Sequence, residues 1–395
     1  MKTVLILGAG VYQLPLIRAA RAAACRVLVA SYRETDPGMG LADEAWVVDT
    51  TDVESLATRA RQTHLDAVLT TGTDVAVPAI GCLCDTLGLP GITAATARLA
   101  SSKTAMQDRF AACGVPAARY RRVRTAQQAE EAAAELGYPA VVKTPDSSGS
   151  RGVTVVDSPA RLHAAVICAI EHARHGEILV EQYLSGNEFG AQLVVVDGTI
   201  VHCLCHNDVV TPPPVAVPIG HSCPTLLPTG VVEEATEVCK SAVRALGIAD
   251  GVCNADLIWT REGVRVFEIA ARAGATGLPE VVKLHYGVDL YAVALQQALG
   301  LPPDTALAAG PAAAILIIRA PRTGRLLRQR VPESMRSLPG VQRISFDYPE
   351  GALVRAFRTG PDRIGDVLVT ADTARAAELL AERVVAALEI EVADA

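Results

Sequence analysis

The strands of this chain change rhythm once, and that change limits the fold more than any other feature. Over the first 95 residues apolar runs alternate with helical stretches: VLILG, an Ala-rich helix, RVLVAS, EAWVVD, a helix from about Val53, and DAVLTTGTD. Apolar runs without polar alternation read as strands buried on both faces. Linked through helices, they build a doubly wound parallel sheet, whose ligands lie beyond the carboxyl ends of its strands. Past Thr96 the strands are joined directly, as in AVVKTPDSSGSRGVTVVD and across the Asp197-Gly198 turn. Direct hairpins make an antiparallel sheet. From Pro311 the runs AAAILIIRA, ALVRAF and IGDVLVTA and one helix, TARAAELLAERVVAALEI, read as a small C-terminal α+β lobe. The expected units are 1–95, 96–310 and 311–395.

The first run enters Gly8-Ala9-Gly10, the start of a dinucleotide fingerprint. That fingerprint needs a third glycine and an acid closing the second strand. Gln13 stands in place of the glycine, and RVLVAS ends in Ala30-Ser31. A tight structural turn is therefore expected, not a nicotinamide site. The polar loop Thr70-Thr71-Gly72-Thr73-Asp74 lies at the same strand ends. Asp74 there is either a substrate contact or the cap of the next helix.

A net charge of −7 implies no basic face for nucleic acid. No apolar stretch reaches the ~18 residues of a membrane span, and the N-terminal run is too short for a signal peptide. Ten cysteines without a repeated spacing point to reduced thiols and a cytoplasmic protein. His202-Cys203-Leu204-Cys205-His206 resembles a metal motif. On a strand, however, its histidines and cysteines point to opposite faces and cannot converge.

Three segments carry chemistry. In AVVKTPDSSGSRGV, Lys143 ends a strand and a Ser/Gly loop follows; such a loop can approach phosphates, with Lys143 as a point charge. In EILVEQYLSGNEFG, Glu181, the backbone around Gln182, Tyr183 and Leu184, and Glu188 can supply acceptors for an adenine amino group and a ribose. In NADLIWTREGVRVFEIAARAGATG, Asp256 and Glu268 lie on two apolar strands joined by a turn. A carboxylate in apolar surroundings needs a partner, and two across a hairpin can hold Mg²⁺ against nucleotide phosphates. Arg272 follows, where it can meet an anion.

In this order, lysine, glycine loop, adenine segment and paired acids resemble the ATP-grasp superfamily over essentially the whole chain. The carboxylate–amine ligase branch, with the bacterial L-amino acid (dipeptide) ligases, is the most similar. AVLTTGTDVAVP, VAVPIGHSCPTLLP and ALVRAFRTGPDRIGDVLVTADT also resemble that branch. The resemblance implies a pre-ATP-grasp domain over 1–95 and an ATP-grasp α+β pair over 96–310. That pair has a lid at about 118–185 and a metal-bearing part at about 186–310. Lys103 and Lys143 match the phosphate-binding lysines, and Ser147, Ser148, Gly149, Ser150 and Gly152 the loop over the phosphates. Glu181, Gln182, Tyr183 and Leu184 match the adenine contacts, and Glu188 the ribose contact. Asp256 and Glu268 match the metal ligands, and Arg272 the arginine that steadies an acyl phosphate. His221 resembles a Gly-His stretch facing substrate, and Asp74, Arg272, Gly274 and Thr276 are grouped with it. One departure stands out: where the family reads E-x-N-x-R, this chain has Ala270.

The implied cofactors are ATP and Mg²⁺, one or two ions, with Mn²⁺ an alternative. The implied reaction joins a carboxylate and an amine, which the resemblance places among amino acids, through an acyl phosphate, with release of ADP and phosphate. The partners are small molecules, and a homodimer is compatible. A carboxylating or purine-pathway ligase is the alternative, followed by a nucleotide-binding protein without catalysis, and last a nicotinamide dehydrogenase.

Overall fold

A computed structural model describes residues 1–144, 153–172, 177–211 and 217–394. Four parallel strands, β1 (Thr3–Leu7), β2 (Arg26–Ser31), β3 (Glu44–Val47) and β4 (Ala67–Leu69), lie in the order β3-β2-β1-β4. Every residue of β1 is buried, because its alternate side chains feed two cores. Val4 and Ile6 pack with Leu16 and Ile17, whereas Leu5 and Leu7 pack with Leu56 and Leu83.

Gly8 closes β1 at φ +99°, a conformation that favours glycine. The Gly10 N–H donates to Gln13 Oε1 (3.0 Å), and Gln13 Nε2 donates to the Thr71 carbonyl (2.5 Å). A Cβ on Gly8 would lie 3.0 Å from the Gln13 side chain. Gln13 thus fills the turn, uses its N–H and ties it to the Thr70–Asp74 loop.

The second sheet is antiparallel: β5 (Tyr120–Val123), β6 (Ala140–Lys143), β7 (Thr154–Val156) and β8 (Ile178–Gln182), ordered β5-β8-β6-β7. Helices Ala126–Leu136 and Pro159–His172 back it through Ala129, Ala133, Leu136, Leu162 and Val166.

The third sheet has eight strands. β9 (Gly186–Val196), β10 (Thr199–Val210), β11 (Pro218–Cys223), β12 (Gly251–Thr260), β13 (Gly263–Ala270) and β14 (Ala312–Arg319) come first. The C-terminal lobe adds β15 (Gly324–Arg330), β16 (Val341–Phe346), β17 (Leu353–Val354), β18 (Arg363–Ala371) and β19 (Glu389–Ala393). The order is β13-β12-β9-β10-β11-β14-β18-β16, with β17-β15-β19 as a separate small sheet. β14, β18 and β16, all within 311–395, therefore continue the sheet that β9–β13 begin. Helix Thr229–Leu246 covers one face, packing Val231, Ala235 and Val238 with Phe189, Leu193, Ala255 and Leu257. By strand alternation Glu188, Gly190, Gln192, His206, Asp208, Asn254 and Asp256 fall on the opposite face.

The C-terminal helix ends earlier than its sequence predicts. It stops at Ala387, Leu388 is extended, and EIEVA forms β19 with Val392 2 % exposed. The apolar spacing there drops to two, so burial of Val392 outweighs helix propensity. ALVRAF contributes only the two residues of β17, and β15, β16 and β19 were not anticipated. Among the described residues no helix is long and apolar enough to cross a membrane.

Candidate active site

The β12–β13 hairpin places Asp256 directly opposite Glu268. A β-bulge between Asp256 and Leu257 makes this pairing. The ladder pairs Thr260 with Gly263 and Leu257 with Val266; without the bulge Phe267 would oppose Asp256 and Glu268 would turn to the helix-covered face. Asp256 opens onto the cleft, yet protein surrounds it closely. That enclosure, and then the Glu268 charge, push its carboxyl up to about 7. Two carboxylates directly opposed across a hairpin repel unless a cation lies between them, so the donor set fits a hard divalent ion such as Mg²⁺. Ala270 offers no ligand, but its cross-strand partner is Asn254. Asn254 Nδ2 donates to Asp256 Oδ1 (2.8 Å) and its Oδ1 accepts from Gln192 Nε2 (2.6 Å). Gln192 Oε1 in turn accepts the Gly274 N–H (2.8 Å). Sequence reasoning missed Asn254 and Gln192; the position of Asn254 two residues before Asp256, on the same strand face, was the available signal.

The cations lie beside acids. Lys103 begins helix Lys103–Cys113, capped by Ser102, and its Nζ lies 3.4 Å from Glu268 Oε2. On the second sheet Val141 is paired with Glu181, so Lys143 is the diagonal neighbour of Glu181 on the same face. Their Nζ–Oε2 distance is 2.7 Å, and both side chains are largely buried. Glu181 Oε1 is buried without a hydrogen-bond partner among the described residues. The Gln182 N–H is taken by the Arg119 carbonyl (2.8 Å), while Tyr183 is 40 % exposed and Leu184 half-buried. Glu188 lies at the start of β9; its enclosure and the Asp208 carboxylate raise its pKa. Ser147, Ser148, Gly149, Ser150 and Gly152 lie outside the described residues.

Arg272 and Asp74 meet across the two folds, with Nη2–Oδ2 at 2.8 Å. The Gly72 N–H also donates to the Ala273 carbonyl (3.2 Å). Helix Val77–Leu87 has Ala76 as its N-cap and no side-chain cap, so the Asp74 carboxylate serves Arg272 instead. Arg272 Nε and Asp74 Oδ1 are buried without hydrogen-bond partners among the described residues. Gly274 and Thr276 (φ +55°) line a different space, a cavity of about 210 Å³ bounded by Tyr12, Arg343, Asp347 and Arg363. His221 is 7 % exposed and its Nδ1 lies 2.6 Å from Asp208 Oδ1, so it faces Asp208.

Residues 108–283 match the family model of the ATP-grasp domain. Over that stretch the chain carries the ATP-grasp domain. More particularly, residues 316–393 match the model of the L-amino acid ligase C-terminal domain 2. Formate-dependent phosphoribosylglycinamide formyltransferase from Synechococcus sp. (strain CC9311) is 27 % identical, over 100 % of this chain and 99 % of its own. The L-amino acid ligase of Bacillus licheniformis superposes with a TM-score of 0.85 at 20 % identity, over 100 % of this chain and 99 % of that one. The phosphoribosylglycinamide synthetase of Anaerococcus prevotii gives 0.84 at 24 % identity, over 99 % and 100 %.

Proposed function

We propose that this chain uses ATP to join the carboxylate of an amino acid to an amine through an acyl phosphate. The observation that carries this reading is the Asp256–Glu268 pair, opposed by the bulge, with Lys103 beside it. Asp256 and Glu268 would hold Mg²⁺, with Asn254 orienting Asp256 in place of the missing ligand at Ala270. When bound, the ion offsets phosphate charge.

Glu181 and the backbone of Gln182, Tyr183 and Leu184 hold the adenine, and Glu188 the ribose. Lys103 and Lys143 bind phosphate oxygens. The substrate carboxylate attacks the γ-phosphorus, ADP leaves, and an acyl phosphate forms. The amine then attacks the acyl carbon; phosphate and a proton depart and an amide remains. Arg272, held by Asp74, offers its Nε–H, which has no partner among the described residues, to charge developing on the acyl oxygen. Closure matters because water would hydrolyse the intermediate.

Hydroxylamine should replace the amine and trap the intermediate as a hydroxamate, with ADP formed in step. The measurement is ADP, AMP and hydroxamate across amino acids, formate and bicarbonate. Formate is included because of the formyltransferase relative. Hydroxamate with amino acids alone supports the proposal, and turnover with formate or bicarbonate alone replaces its substrate class. AMP with pyrophosphate would sink the acyl-phosphate route, and ATP binding without turnover would leave a binding protein.

Lys143→Ala should lower kcat/KM for ATP by about 10- to 100-fold, the scale of one charged hydrogen bond. An unchanged ATP dependence in steady-state kinetics would remove Lys143 from the phosphate site.

A further inference from the structure

A second cluster lies on the same sheet face, two strands from the carboxylate pair. His206 and Asp208 are two residues apart on β10, so they share a face, and His221 on β11 pairs directly with Asp208. Asp208 Oδ1 lies 3.0 Å from His206 Nδ1 and 2.6 Å from His221 Nδ1. One ligand atom from each residue falls within 4.8 Å of the others. The two imidazoles stand edge to face, with centroids 5.3 Å apart and planes at 86°. Two rings from different strands thus converge on one carboxylate oxygen.

His206 gives a second observation. It is 2 % exposed, and neither of its ring nitrogens has a hydrogen-bond partner of acceptable geometry among the described residues. A buried polar group left unmet costs about 1–3 kcal/mol. Its ring occupies space that Gly190 leaves open, for a Cβ there would lie 2.3 Å from His206 Cε1. Gly190 is paired with Asp256 on one side and His206 on the other. The two clusters are therefore about 10 Å apart, two strand spacings.

We propose that His206, Asp208 and His221 form a binding site for a borderline divalent transition-metal cation of the zinc class, separate from the Asp256–Glu268 pair. Imidazole nitrogens suit such ions, whereas Mg²⁺ prefers oxygen. Three protein ligands leave a coordination position open, as in zinc sites that admit a further ligand. Of the HCLCH stretch only His206 takes part: His202 Nε2 lies 2.7 Å from the Thr305 carbonyl, and Cys203 and Cys205 face the other way. This inference is independent of the proposed ligase reaction.

The test uses the full chain, stripped with a chelator and titrated with Co²⁺ in excess Mg²⁺, which saturates oxygen-only sites. The wild type should bind one Co²⁺ per chain, with visible absorption and paramagnetically shifted histidine resonances. His206→Asn, His221→Gln and Gly190→Ala should each weaken binding by at least ~10-fold, the lower bound even for changes outside the ligand shell. Glu268→Ala should still bind. Should a variant fail to fold, the histidine resonances of the wild type decide alone. No binding in excess Mg²⁺, unshifted histidines, equal binding in all folded variants, or loss in Glu268→Ala alone would each overturn the proposal.

Discussion

Glu268→Ala is expected to cut kcat by about a thousandfold or more while leaving the fold intact. Glu268 closes the carboxylate pair and lies 3.4 Å from Lys103, so in the proposed roles its loss removes one side of an ion's seat and the partner of a phosphate-binding lysine. Metal stabilisation of transition-state charge is worth several kcal/mol, and each 1.36 kcal/mol is about a factor of ten. The fold should survive because Glu268 is half-buried at the cleft and the hairpin's apolar residues, Val264, Val266 and Ile269, stay packed. The check is turnover across a Mg²⁺ series beside thermal unfolding. Near-normal kcat at saturating Mg²⁺ would remove Glu268 from the metal site.

Arg272→Met should be similarly severe, for a different reason. Its guanidinium joins the loop after β13 to the loop after β4 through Asp74, and its Nε–H has no hydrogen-bond partner among the described residues. If that N–H meets the acyl oxygen, its loss should cost about 10²–10³ in kcat, the usual value of one preorganised donor. KM for ATP should change little, since the proposed role of Arg272 is at the acyl end. Asp74→Asn keeps a hydrogen-bond acceptor for Arg272 and should cost less. Equal losses in both variants, with matching drops in unfolding temperature, would make the pair structural and not catalytic.

The outline of the fold was legible because each sheet writes a different pattern. VLIL is apolar throughout because two cores share it, and the Asp197-Gly198 turn signals its own hairpin. The pairing of Asp256 with Glu268 was less open to inspection. Across a two-residue turn, directly opposed residues are an odd number apart, and these two are an even number apart. Only the bulge brings them together, and nothing in the residue types announces it. Asn254 opposite Ala270 and His221 opposite Asp208 depend on register in the same way. The second case is harder still, because the proline-rich sequence TPPPVAV separates the two strands. Gln13 appeared only as a departure from a fingerprint. Its place inside the glycine turn depends on Thr71, far along the chain.

The eight-stranded sheet bears on how this chain can be divided. β14 hydrogen-bonds to β11 from Ala313 to Leu316, and β18 and β16 follow without a break. A chain cut after Gly310 would leave β11 with an open row of backbone donors and acceptors, flanked by Ile219 and Cys223, which are now buried. Such an edge invites pairing with other molecules. The C-terminal lobe is therefore not a detachable module: the half that carries the carboxylates and the half that ends the chain share one ladder, and neither is a self-sufficient unit of solubility.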